Sequence, residues 1–208
     1  MKKKILSVVL SLILVVSLAA CGGKTNNNTP TTTVPNSTTA PETTVPTVDI
    51  KDSADILNQV YEKFTEDQTF PVMGGKAEDP VMDGAGLYPV DDKDGMMNLF
   101  HIPEKDIDLV SEVGSMMHAM NANTFTSTVY KLKDAKTSSD FISSLKDNIK
   151  NTKWLCGAPE TLLIYTVNDS YVVVAFGADE IIKPFKANMA TIFDSSAVLS
   201  VEESLLED

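Results

Sequence analysis

The tightest constraint on the fold is a pair of apolar runs, Thr161 to Val167 and Ser170 to Phe176, separated only by Asn168-Asp169. Both runs are rich in β-branched and aromatic residues, which suit a pleated, packed surface. Asn and Asp tolerate positive φ, so the two-residue connection predicts a tight hairpin. A fold for this chain therefore contains antiparallel sheet, and the flanking segments must pack on it.

Thr124 to Leu132 reads as a further strand. Thr137, Ser138 and Ser139 then offer a helix cap. Phe141, Ile142, Leu145 and Ile149, with Trp154, make the buried face of that helix, which Gly157 and Pro159 end. Ala178 to Phe193 predicts a last helix, kinked or restarted at Pro184. Ile107 to Met120 reads mainly as a strand; helix competes, because Val110, Val113, Met116, Met117 and Met120 also fit a 3.6 period and Met favours helices. Toward the N-terminus, Ser53 is placed to cap a helix with Ile56, Leu57, Val60, Tyr61 and Phe64 on one face. Thr69 to Met73 suits a short extended piece, and Met96 to His101 a short helix stopped by Pro103. Val198, Leu199, Val201, Leu205 and Leu206 give the acidic tail beyond Asp194 something to dock with, but its order is not fixed by pattern. Strand, strand, helix, strand, strand, helix predicts an α+β two-layer sandwich: about four antiparallel strands with helices on one face, preceded by an N-terminal helix.

The first residues have a different character. Lys2, Lys3 and Lys4 precede an apolar run from Ile5 to Leu18, too short for a dedicated membrane span. Leu18-Ala19-Ala20-Cys21 follows and resembles the lipobox of bacterial lipoproteins, which implies cleavage after residue 20 and a diacylglyceryl group on the Cys21 thiol. Each buried methylene contributes about 0.8 kcal/mol, so two acyl chains hold a protein durably where one does not. The expected organisation is a signal peptide over 1–20, the lipidated Cys21 and a disordered Thr/Pro/Asn-rich linker over 21–48, and one globular domain over 49–208. The expected location is the outer face of the plasma membrane, and Lys with abundant Asn and Thr points to a Gram-positive cell. Prolines at 30, 35, 41 and 46 keep the linker extended, with a reach between roughly 25 Å as a coil and about 75 Å as polyproline II.

Without residues 1–20 the chain carries 14 Lys, no Arg and 29 Asp plus Glu, a formal charge of −15. That balance excludes the cationic surface nucleic acid requires, and a basic patch for anionic lipids. With Cys21 consumed by lipid, Cys156 has no partner in its own chain, so a disulfide framework is excluded. It is expected to be a small buried residue; a reactive thiol or an intermolecular link is the alternative.

Gly74 to Gly95 is a long Gly, Pro and Asp-rich connection, a type that is often functional or mobile. Its Asp91-Asp92-Lys93-Asp94-Gly95 fails as an EF-hand loop, because Gly95 at position six puts His101 at position twelve. A looser cation site from Asp83, Asp91, Asp92 and Asp94 is the alternative to a solvated acidic turn. His101 and His118 are the two histidines; the first is expected to be exposed and the second a core or edge residue. The chain has no nucleophile elbow, zinc-protease helix motif, Cys-x-x-Cys or phosphate loop, so neither catalytic residues nor a cofactor is expected.

Met116-Met117, Val129-Tyr130-Lys131-Leu132-Lys133-Asp134-Ala135, Ala158-Pro159-Glu160 and Asp169-Ser170-Tyr171-Val172-Val173-Val174 resemble, in order and spacing over roughly residues 95–193, a family of small clostridial lipoproteins catalogued as a domain of unknown function. That family brings no catalytic residue to carry across. The expectation is a non-enzymatic binding or interaction module of the cell envelope, meeting an envelope protein or wall component through the 74–95 loop or a sheet edge. A solute- or cation-binding protein using that loop is the alternative, and a small hydrolase a third reading.

Overall fold

The computed structural model describes residues 48–206 except residue 156. The signal segment, Cys21, the linker to residue 47 and Cys156 lie outside the described residues, as do the expectations made for them. In chain order the elements are α1 (Ser53–Tyr61), β1 (Val72–Gly74), β2 (Val81–Met82), β3 (Gly86–Tyr88), α2 (Lys93–Phe100), a 3-10 turn (Glu104–Leu109), β4 (Val110–His118), β5 (Phe125–Leu132), α3 (Ser138–Lys150), β6 (Thr161–Val167), β7 (Tyr171–Gly177), α4 (Asp179–Phe193) and β8 (Ala197–Ser204).

The fold is α+β, and the predicted hairpin forms within its sheet. β6 and β7 pair from Thr161↔Gly177 to Val167↔Tyr171, with Asn168 at φ 44° and Asp169 at φ 58° in the turn. The segment for which helix competed is strand β4, paired with β5 from Val110↔Leu132 to Met117↔Thr126. Residues Val113 and Met117 pack on one face of the sheet while Met116 packs on the other, the two-residue period of a strand.

Two expectations are corrected. The sheet has eight strands, not about four: β2, β1, β4, β5, β7, β6 and β8 lie side by side, and β3 pairs with β4 beyond the end of β1. Helices also cover both faces, giving three layers where two were expected. α1 and α4 bury Ile56, Leu57, Val60, Ile182, Phe185 and Met189 with Val129, Leu163 and Val173. On the other face α2 and α3 bury Met96, Phe100, Phe141, Leu145 and Ile149 with Tyr130, Leu162 and Val174. The cause is visible in β7, Tyr-Val-Val-Val-Ala-Phe-Gly, in which every residue is buried. A strand apolar on both sides needs cover on both sides.

Local chemistry sets where the helices sit. Asp52, not Ser53, caps α1, its carboxylate accepting from the Asp55 N–H at 2.9 Å. Ser53 is buried as the first helical residue and donates both its N–H and its hydroxyl to Glu112 of β4, at 2.8 and 2.7 Å. Directly beneath is Gly114, where an added Cβ would lie 2.5 Å from the Ala54 nitrogen. α1 therefore rests on bare sheet backbone. α4 runs unbroken through Pro184; the lost bond is offset by burial of Ile181, Ile182, Phe185, Met189 and Phe193 along one stripe.

The Gly74 to Gly95 connection is built into the sheet. β2 and β3 lie within it, and Leu87 pairs with Gly114. A Cβ at Gly74 would fall 2.3 Å from the Gly86 nitrogen and 2.4 Å from the Ser115 carbonyl oxygen, so three backbones meet there with no room for a side chain.

Candidate functional site

The acidic cluster is a helix start. Asp92 caps α2, accepting from the Gly95 N–H at 3.0 Å, and also accepts from the Tyr88 hydroxyl at 3.0 Å and pairs with Lys76 at 3.0 Å. These partners hold its carboxyl below the usual carboxylate range, the Gly95 N–H contributing most. Burial of the ring, reinforced by the same carboxylate, pushes the Tyr88 hydroxyl up to about 12. Asp83, Asp91 and Asp94 are exposed. No group of three or more His, Cys, Asp or Glu side chains gathers to hold a metal among the described residues, so these four aspartates do not form the cation site considered for them. A carboxylate already committed to a helix N-terminus and a lysine has little left to offer an ion.

Each histidine is tied into the fold. His118 stacks on Phe70 at 5.5 Å, and its Nδ1 accepts from the Met120 N–H. His101, expected to be exposed, is half-buried: it ends α2 in the left-handed region at φ 56°, against Trp154 at 4.7 Å and Phe176 at 5.7 Å. Its carbonyl accepts from the Asn148 side-chain amide at 2.7 Å, joining the end of α2 to α3. Burial pushes its imidazole below the ordinary histidine value. Neither imidazole has a carboxylate partner among the described residues, so the base-and-orienter geometry of nucleophilic catalysis is not formed.

The feature that pattern left undecided is the tail. Residues 197–204 form β8, the last strand of the sheet, paired with β6 from Val167↔Ala197 to Thr161↔Ser204. The pairing skips Ser200, a bulge between Leu199 and Val201. Val201 and Leu205 pack on the core of the α3 face. Val198 remains 64% exposed and Leu199 37%.

The two carboxylates of β8 point to opposite faces, as neighbours in a strand must. Glu202 meets Lys186 of α4 at 2.5 Å, and Glu203 meets Lys150 and Lys146 of α3. Lys150 holds the Glu203 carboxyl below its usual range. Exposed pairs of this kind contribute at most about 1 kcal/mol each, and among the described residues no strand pairs with the outer edge of β8. A groove lies on each side. On the α3 face, Ile142, Ser138, Lys136, Thr166 and Ser200 line about 660 Å³. On the α4 face, Leu163, Ile182, Lys183, Lys186 and Glu202 line about 280 Å³. The sequence signal for this edge was the apolar spacing of Val198, Leu199, Val201 and Leu205, too brief and too charged to separate a strand from an unstructured tail.

No family model, curated protein or solved structure matches the chain.

Proposed function

We propose that this chain is a lipid-anchored protein of the cell envelope, held on the outer face of the plasma membrane through Cys21, and that it works by binding another envelope component rather than by catalysis. The observation that carries the reading is the open edge of β8, eight residues long, with exposed Val198 and Leu199 and a groove on either side. The lipobox at Leu18 to Cys21 supports the anchored location, and the resemblance to small clostridial lipoproteins agrees with it. Such a surface recognises shape and backbone and asks for no reactive group.

Two measurements test this. Metabolic labelling with an alkynyl fatty acid labels the chain and leaves Cys21→Ser unlabelled, and the variant leaves the membrane fraction. A photoreactive residue at position 199 in the lipidated chain crosslinks to an envelope component, and one at position 82, on the opposite edge strand β2, does not. Equal labelling of Cys21→Ser, or no crosslink from any exposed position, defeats the proposal.

A further inference from the structure

Among the described residues, the connection from α3 to β6 makes no ladder bond to the sheet before Glu160, and one side chain holds its middle down. Trp154 packs over the end of α2, its ring 4.7 Å from the His101 imidazole and 5.3 Å from Phe176 of β7. The two ends of this piece are tied separately. At one, the Asn151 and Thr152 N–H groups close the last turn of α3. At the other, the Asn123 amide donates to the Leu155 and Gly157 carbonyls, at 2.9 and 2.7 Å. Gly157 stands at φ 103°, with open space where a side chain would be. The piece between these ties is hinged, and Trp154 is its latch. We propose that His101 is the pH-sensitive catch for this latch: when the imidazole takes a proton it rejects Trp154, and the segment around Trp154 and Leu155 swings off the sheet while the rest of the fold stays in place. This switch is independent of the β8 edge and its partner.

The contacts of His101 decide which part moves. Its main chain is fixed: at φ 56° it ends α2, its N–H donates to the Met96 carbonyl, and its own carbonyl accepts from Asn148. The ring is held far less. Its one polar neighbour is the Thr152 hydroxyl, 3.4 Å from Nδ1, and that hydroxyl already donates to the Asn148 carbonyl. Its other neighbours are the rings of Trp154 and, from β7, Phe176. The charged residues on the flanking elements do not serve it: Lys105, Asp147, Lys150 and Lys153 are exposed, and the buried Asp106 lies 3.9 Å from Lys105. No carboxylate is in place to receive an imidazolium. An indole face returns about 0.5–2 kcal/mol to a cation, whereas taking an ion out of water costs several kcal/mol. Burial accordingly holds the imidazole below its ordinary value. With the backbone at residue 101 unable to turn, a charged ring regains water by displacing the hinged segment.

Trp154 is the only tryptophan in the chain, so its emission reports this site alone. The test uses the full lipidated chain in detergent, followed from pH 7 to pH 4.5, the range in which histidine titrates. The expected result is a red shift of the emission maximum and a rise in acrylamide quenching, in a single-proton step, with far-ultraviolet circular dichroism unchanged. The midpoint coincides with titration of the His101 ring read by NMR. His101→Asn, which keeps the left-handed backbone, removes the step; His118→Asn, at the histidine stacked on Phe70, leaves it in place. An emission maximum and quenching that stay constant while His101 titrates overturn the proposal, because the charged ring then keeps its contact with Trp154. A step that survives His101→Asn assigns the change to carboxylates and also overturns it. So does a step that coincides with loss of the circular dichroism signal, which is global unfolding.

Discussion

At the scale of single residues, the positions that decide the structure are those where the chain has no spare room or no spare partner. Gly114 is one: with the Ala54 nitrogen 2.5 Å from where a Cβ would stand, Gly114→Ala pushes α1 off the sheet. Overpacking of this kind costs about 1–3 kcal/mol, and the expected result is a lower urea midpoint with α1 losing amide-exchange protection first. His101 makes a prediction about pH. Burial lowers its pKa from 6.5, so on acidification the unfolded chain takes the proton first, and stability falls from about pH 6.5 down to the lowered native value. His101→Asn, which tolerates the left-handed backbone, removes that part of the slope; urea midpoints between pH 7 and 5 check it. Asp92 has the same sign at lower pH, although here the native contacts favour the charged form instead of penalising it. Its depressed pKa gives stability that is full above 3.8 and lost as pH falls through the lower native value. Asp92→Asn is therefore destabilised at pH 7 and converges with the parent chain in acid. None of these roles was legible in the sequence, because an Asp beside a possible cation loop and an Asp capping a helix look alike until the chain direction is known.

At the scale of elements, the sheet separates two cores that should behave independently. Leu145 of α3 and Met189 of α4 are fully buried on opposite faces. Leu145→Ala and Met189→Ala are each expected to cost about 2–5 kcal/mol, and the double variant the sum to within about 0.5 kcal/mol, read from chemical denaturation. Much at this scale was written in the pattern: the β6–β7 hairpin with its Asn168-Asp169 turn, β5 and α4 stand where apolar period and turn chemistry place them, and so does the start of α3, which ends at Lys150, short of Gly157, and leaves Trp154 beyond it. What escaped is instructive. β7 is apolar at every position, a sign of cover on both faces, but which helix goes to which side depends on chain path, not on any local period. β3 escaped because three residues among glycines show no alternation, and β8 because an edge strand buries too little to display one. The candidate site was the least legible part, since an open edge is defined by the strand that is not beside it.

At the scale of the whole molecule, charge and connectivity dominate. A chain of formal charge −12 repels itself, so added salt should raise the denaturation midpoint until the Debye length falls to about 3 Å at 1 M. A midpoint indifferent to salt would mean that the Lys–Glu pairs along α3, α4 and β8 already balance that repulsion. Connectivity concerns α1, which comes first in the described chain yet packs on the same face as α4, with the Asn188 side-chain amide donating to the Val60 carbonyl across 128 residues. The first helix can dock on β4 and β5 as soon as those strands exist, but its face is completed only when α4 arrives. A newly made chain therefore keeps the flank of Ile56, Leu57 and Val60 that α4 covers open to solvent until residues 179–193 have been added.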